Sequence, residues 1–190
     1  MYHGRQAPQN DIALASDEAP ANRRKKRRAQ RGRPVQNYWL FKTEPTTYDW
    51  DRLVREGRTE WSGVRNFQAR NNMLEMKLGD LGFFYHSSTK VPCIVGIVKV
   101  VKEAYPDFTA FDKTSPYYDP RSKPDHPIWQ MVDVEPERAL PRPVTLPELR
   151  ENPDLSGTMV LLKRGSRLSV QPVHVREWKI VLALADRPAS

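Results

Sequence analysis

The sequence predicts an α+β domain, and three observations carry that prediction. Runs with the two-residue alternation of strands and runs with the 3.6-residue spacing of helices follow one another irregularly, without regular βαβ units. Residues 93–102 are apolar on both faces, which marks a central strand. A chain of 190 residues is long enough for one domain with a sizeable core. There is no internal repeat.

Residues 1–34 read as a disordered polybasic arm, poor in large apolar groups and rich in Ala, Pro, Asn, Gln and Arg. The arm holds nine Lys/Arg against three Asp/Glu, and the remainder holds 22 against 20. Most of the net charge of +8 is therefore a property of the arm, and residues 35–187 form a nearly neutral domain. Arg23, Arg24, Lys25, Lys26, Arg27 and Arg28, followed by Arg31 and Arg33, suit phosphate contacts that weaken steeply with salt. A targeting signal and a solubilising tail are the competing uses. Acidic lipid is a poorer match, because no amphipathic helix accompanies the run.

Asn37–Lys42 is β-prone and predicts the first strand, ended by Pro45. Thr46-x-x-Asp49 resembles a capping box with Asp in place of Glu. With Trp50, Leu53 and Val54 at helical spacing and Gly57 as a stop, it predicts a helix over 47–56. Trp61 and a Ser62-Gly63 turn then lead into a helix over 66–76 capped by Asn66. Its apolar arc contains Phe67, Ala69, Met73, Leu74 and Met76, with Arg70 near the middle. A buried guanidinium needs a partner, and Glu44 is the expected one. Gly79-Asp80 is a turn. Leu81–His86 predicts a strand with Phe83 and Tyr85 on one face and Phe84 and His86 on the other. Ser87–Lys90 is a polar loop. Residues 105–128 read as an irregular excursion, either a binding loop or a disordered tip. Trp129–Val134 predicts a strand and Leu146–Arg150 a short helix. Met159–Leu162 fits a helix end or a strand. Arg167–Val170 is extended up to Pro172, and Val175, Trp178, Leu182 and Ala185 predict a last helix over 173–185.

Catalytic signatures are absent: there is no GxSxG elbow, P-loop, HExxH or GxGxxG after a strand. The four histidines lack metal-ligand spacing, and Asp107 with Asp112 is a weak metal signal. No catalytic residue, metal or cofactor is expected, and an enzyme acting on nucleotides or small metabolites is the lesser alternative. Cys93 is the single cysteine, which excludes an intramolecular disulfide and a multi-Cys zinc site. It reads as a buried strand thiol and suits a reducing cytoplasm, or a nucleoid or nucleus if the arm acts on DNA or as a signal. No apolar run approaches the ~18 residues of a membrane span, and no signal-peptide core is present.

Binding chemistry is better represented. Trp39, Trp50 and Trp178 fall at core positions, whereas Trp61 and Trp129 border loops. Ser62, Gly63 and Val64 precede a helix N-terminus, where N–H groups lack intrahelical partners. A ring beside free donors suits a flat, acceptor-bearing ligand such as a nucleobase. A core tryptophan, a tight turn and an ion-paired helix explain the same residues without a ligand. Tyr85 and His86 offer a stacking face and a hydrogen bond, or form an ordinary strand end.

Together these segments resemble the EVE domain family, a branch of the PUA-like superfamily. The matching runs are Tyr38–Pro45, Trp61–Asn71, Phe84–Ser88, the Gly96-Ile97 strand, Ala104–Asp107 and Lys163–Val173. The order is the family's, and the match spans about residues 37–185. Thr43 and Phe67 replace the family's common Ser and Tyr. The resemblance implies a curved PUA-like β-barrel flanked by helices, with a pocket for a modified base. The ligands it implies are 5-methylcytosine or 5-hydroxymethylcytosine in DNA, held flipped out as in the related YTH and SRA domains. An RNA-binding module reading structured or modified RNA is the alternative. Carried over by resemblance, Lys42, Thr43 and Trp61 correspond to the Lys-Ser pair and first cage tryptophan of YTH domains. Ser62, Val64 and Asn66 would offer donors and acceptors to the base edge, with Gly63 and Arg65 belonging to the same base-binding pocket. Tyr85, His86 and Ser87 would line the other side, with Arg167 and Ser169 completing what is carried over; Trp129 joins the expected site as the second loop-bordering tryptophan. Stacking one base is worth about 1–3 kcal/mol, flipping it costs a few, and burying one methyl adds only about 0.8. Phosphate contacts must therefore supply much of the affinity.

Overall fold

The computed structural model describes residues 36–188, so the arm predicted at 1–34 lies outside it. Six strands form one sheet in the order β2-β5-β4-β3-β1-β6. They are β1 (Tyr38–Thr43), β2 (Thr59–Trp61), β3 (Leu81–His86), β4 (Cys93–Pro106), β5 (Gln130–Thr145) and β6 (Val170–Val173). Five α-helices accompany them: α1 (Trp50–Glu56), α2 (Phe67–Glu75), α3 (Leu146–Glu151), α4 (Pro153–Ser156) and α5 (Val175–Ala185). The predicted α+β class holds, and β4 is interior to the sheet, as its two apolar faces require.

The long β4–β5 pair changes register four times between Ile94 and Tyr105. Each bulge adds local twist, and the sheet curls into a half-barrel. Among the described residues no ladder joins the edge strands β2 and β6, so the barrel implied by resemblance is open. β1 runs parallel to β3 and antiparallel to β6.

Strand alternation divides the core in two. Trp39, Phe41 and Phe84 meet Trp50 and Leu53 of α1 and Ala69 and Met73 of α2 on one face. Leu40, Phe83 and Tyr85 meet Leu149, Leu155, Trp178 and Val181 on the other. The predicted facing of β3 is correct. Gly96 of β4 admits the Trp50 ring, since a Cβ there would lie 2.4 Å from it.

Several expectations need correction. α1 begins three residues later than predicted, because Asp49 is itself the N-cap and accepts the Arg52 N–H at 2.6 Å. An Asp at the fourth box position is too short to reach back to Thr46, and the Glu44 carbonyl holds the turn through the Thr47 and Tyr48 amides. α2 is capped by Asn66 as expected, but Phe67 and Leu74 are exposed and the buried stripe narrows to Ala69, Met73 and Met76. Arg70 does not pair with Glu44. It is half-buried and donates to the Ile128 carbonyl at 3.1 Å and to Asn71 Oδ1, while Glu44 accepts from Ser88 Oγ. Cys93 is half-buried rather than buried, and partial burial still pushes its thiol pKa up. The open segment at Met159–Leu162 is a 3₁₀ turn over Val160–Leu162. Three elements go unpredicted: β2, which is three residues long and exists by pairing with β5, the 3₁₀ turn Phe108–Ala110 inside the segment read as irregular, and α4, started by Asn152 and Pro153. Among the described residues no helix is long and apolar enough to cross a membrane.

Candidate nucleic-acid interface

β2 ends on Trp61, a residue 8% exposed whose ring packs edge-on against Phe41 and Phe84. The chain then turns sharply. Gly63 sits at φ +75°, and a Cβ there would lie 2.8 Å from the Tyr117 ring, so this position requires glycine twice over.

Asp107 fixes the turn. Its fully buried carboxylate accepts the Gly63 N–H at 2.8 Å and Arg65 Nη1 at 2.7 Å through one oxygen. The other oxygen takes the Thr109 N–H at 2.9 Å and its hydroxyl at 2.6 Å. Arg65 also donates to the Tyr117 carbonyl and to Thr109 Oγ1. The excursion at 107–119 is thereby tied to segment 62–66, and Tyr117 is held over Gly63.

Trp61, Gly63, Arg65 and Tyr117 help wall a pocket of about 470 Å³, within the ~300–1,000 Å³ range of ligand sites. Aromatic groups come from Tyr48, Trp61 and Tyr117. Hydroxyls come from Thr43, Thr47, Thr59, Ser62 and Ser169. Burial pushes the Tyr48 phenol up to about 12, with Glu56 adding to the rise, so it stays a donor at neutral pH. It donates to Glu56 at 2.7 Å, and Arg52 lies over its ring while bonding the same carboxylate. The charged lining is balanced, with Arg52 and Arg65 facing Glu56 and Glu60. Both arginines already have carboxylate partners.

The sequence profile of the EVE domain matches residues 37–184. The chain belongs to the EVE domain family. Thymocyte nuclear protein 1 of Mus musculus is 42% identical over 177 residues, covering 84% of this chain and 78% of that protein. The human THYN1 protein, solved in complex with 5-methylcytosine containing DNA, has a TM-score of 0.77 at 41% identity, covering 81% of this chain and 100% of that one. A Pseudomonas putida protein has a TM-score of 0.75 at 42% identity, covering 78% and 99%.

In this EVE domain, seven of the residues singled out in the sequence, Thr43, Trp61, Ser62, Gly63, Val64, Arg65 and Ser169, come together around the pocket. The other expected site residues do not line it. Lys42 shares the sheet face of Leu40, since alternation sends only Thr43 to the pocket side. Tyr85 is buried in the opposite core for the same reason. His86 points to α1, where its Nε2 accepts the Trp50 N–H at 3.2 Å. Ser87 is buried and donates to the Thr43 carbonyl. Trp129 is buried behind Arg65, with its Nε1 donating to Asp119 at 2.8 Å. Asn66 and Arg167 line a separate groove.

The expected free donors are fewer than predicted. Asp107 takes the Gly63 amide, the Glu60 carbonyl takes that of Ser62, and the Asn66 side chain takes those of Gln68 and Ala69. Sequence reasoning missed Tyr48, Tyr117 and the anchoring role of Asp107. Its weak metal signal dissolves, because the donors described saturate Asp107 and Asp112 is occupied by Thr114. The arm residues Arg23–Arg28 lie outside the described residues.

Proposed function

We propose that this EVE domain binds nucleic acid, without transforming it, by taking one modified base into the pocket beside Trp61. DNA carrying 5-methylcytosine or 5-hydroxymethylcytosine is the substrate class. The observation that carries the reading is the pocket's character: three aromatic side chains and five hydroxyls around a cavity whose charges cancel. Such a lining suits a neutral planar base and disfavours a phosphate. A relative that matches 81% of the chain, the human THYN1 protein, is described in complex with 5-methylcytosine containing DNA, which supports this choice of ligand.

The energetics set the expected discrimination. One buried methyl contributes about 0.8 kcal/mol, or roughly fourfold in affinity. A hydroxymethyl group reaching one lining hydroxyl adds about 0.5–1.5 kcal/mol. The test is fluorescence-polarisation binding to matched DNA and RNA oligonucleotides containing cytosine, 5-methylcytosine or 5-hydroxymethylcytosine. Trp61 is a poor site for truncation, since Trp→Ala in a core costs about 3–5 kcal/mol of stability. Tyr117→Ala removes an exposed wall instead. The reading expects the wild type to prefer a modified DNA probe and Tyr117→Ala to lose that preference. Equal binding of all DNA probes, or preference only among RNA probes, overturns the DNA assignment.

A further inference from the structure

We propose that the groove between the start of α2 and loop 163–168 seats the sugar-phosphate backbone of the strand that gives its base to the pocket. The inference rests on the base-binding reading and adds a second subsite to it. The groove has a volume of about 450 Å³ and is lined by Asn66, Gln68, Lys163, Arg164, Ser166 and Arg167 among others. Its charge is one-sided. Lys163, Arg164 and Arg167 are exposed, no acidic residue lines the groove, and none of the three cations forms an ion pair among the described residues. In the neighbouring pocket, by contrast, each arginine is matched by a carboxylate.

Two segments connect the cavities. Arg65 lines the pocket and the next residue, Asn66, lines the groove. On the other wall, Ser169 lines the pocket and Leu168 with Arg167 lines the groove. A strand inserting one base beside Trp61 therefore lays its adjoining phosphates along the cationic loop. The positive end of the α2 dipole has the matching sign. The Ser166 hydroxyl, shielded from solvent and without a hydrogen-bond partner among the described residues, adds a polar group at the groove wall. A near-neutral domain thus carries a local anion site of its own, separate from the arm. Arg167 moves from the base, where resemblance had placed it, to the backbone.

The test uses the full chain and the triple variant Lys163→Gln/Arg164→Gln/Arg167→Gln. The arm is present in both proteins, so its contribution cancels from their difference. Binding to duplexes with a single cytosine or 5-methylcytosine is measured from 50 to 200 mM salt. Each phosphate contact contributes about 0.9 to the slope of log K against log salt, or about 3.5-fold in affinity over that range. The expected result is a slope shallower by about 2–3, weaker binding to both probes and an unchanged ratio between them. All three side chains are exposed, so the melting temperature should stay at the wild-type value and serves as the folding control. An unchanged slope overturns the groove, even if affinity falls. A collapse of the probe ratio at unchanged slope also overturns it and returns Arg167 to the base. If the wild type itself does not distinguish the probes, the base reading fails, and the slope comparison still decides whether the loop holds phosphate.

Discussion

Replacing Asp107 by Ala should both destabilise the fold and dismantle the pocket. The carboxylate is fully buried and accepts four hydrogen bonds, from Gly63, Arg65 and twice from Thr109. Removing one partner of a buried ion pair costs about 3–5 kcal/mol. The Arg65 side chain is 20% exposed, so water recovers part of its lost solvation and the lower end applies. At about 2–4 °C per kcal/mol for a chain of this size, the melting temperature should fall by about 6–12 °C. A double-mutant cycle with Arg65→Met isolates the pair, and a charge-assisted bond of this kind predicts a coupling of about 1.5–3 kcal/mol. The same variant should lose base preference, because Asp107 holds both the Gly63 turn and, through Arg65, the Tyr117 wall. Additive single-mutant costs, within about 0.5 kcal/mol, would refute the coupling. A stable variant with intact base preference would refute the claim that Asp107 builds the site.

Three further predictions concern neighbouring positions. Gly63→Ala should cost about 1–2 kcal/mol for the left-handed backbone alone. It should also abolish base preference by displacing Tyr117, and the stability cost should shrink in a Tyr117→Ala background, as thermal melts would show. Burial holds the His86 pKa below its ordinary 6.5, against the opposing pull of Asp49 and Asp51. The unfolded chain therefore takes up the proton first, and this contribution to stability is complete above about pH 6.5 and declines as pH falls. Melting temperature should drop more steeply from pH 7.5 to 5.5 in the wild type than in His86→Gln, and parallel profiles would exclude His86 as the cause. Glu44→Ala should change stability by no more than about 0.5 kcal/mol, because its partner is the exposed Ser88 rather than Arg70. A loss of several degrees would restore the ion pair expected from sequence.

What the sequence made legible follows from the range of the forces involved. Local signals were readable: the Asn66 cap, the Gly57 stop, the alternation in β3 and the two apolar faces of β4 all appear where they were expected. β2 was not readable, because three residues carry no periodicity and become a strand only by pairing with β5. The site divides in the same way. Trp61–Arg65 is one contiguous segment, and it lines the pocket together with Thr43. Lys42, Tyr85 and Trp129 were misplaced, since proximity in sequence does not settle which face of a sheet a side chain occupies. The alternation already noted for β3 separates Tyr85 from Phe84, and applied across β1 it would have removed Lys42 and kept Thr43. Tyr117 and Asp107 lie more than 40 residues from Gly63, and Tyr117 carried no signal beyond belonging to an excursion read as a binding loop. Arg70 was misread because a half-buried guanidinium can satisfy itself on a backbone carbonyl and a side-chain amide.

The most direct test of the central claim is a structure of this chain bound to a DNA duplex carrying a single 5-methylcytosine. The account predicts the modified base out of the stack, in the pocket beside Trp61 and Tyr117, with the adjoining phosphates along Lys163, Arg164 and Arg167. A base that remains stacked in the duplex, with the pocket empty and the protein touching only phosphates, would contradict it.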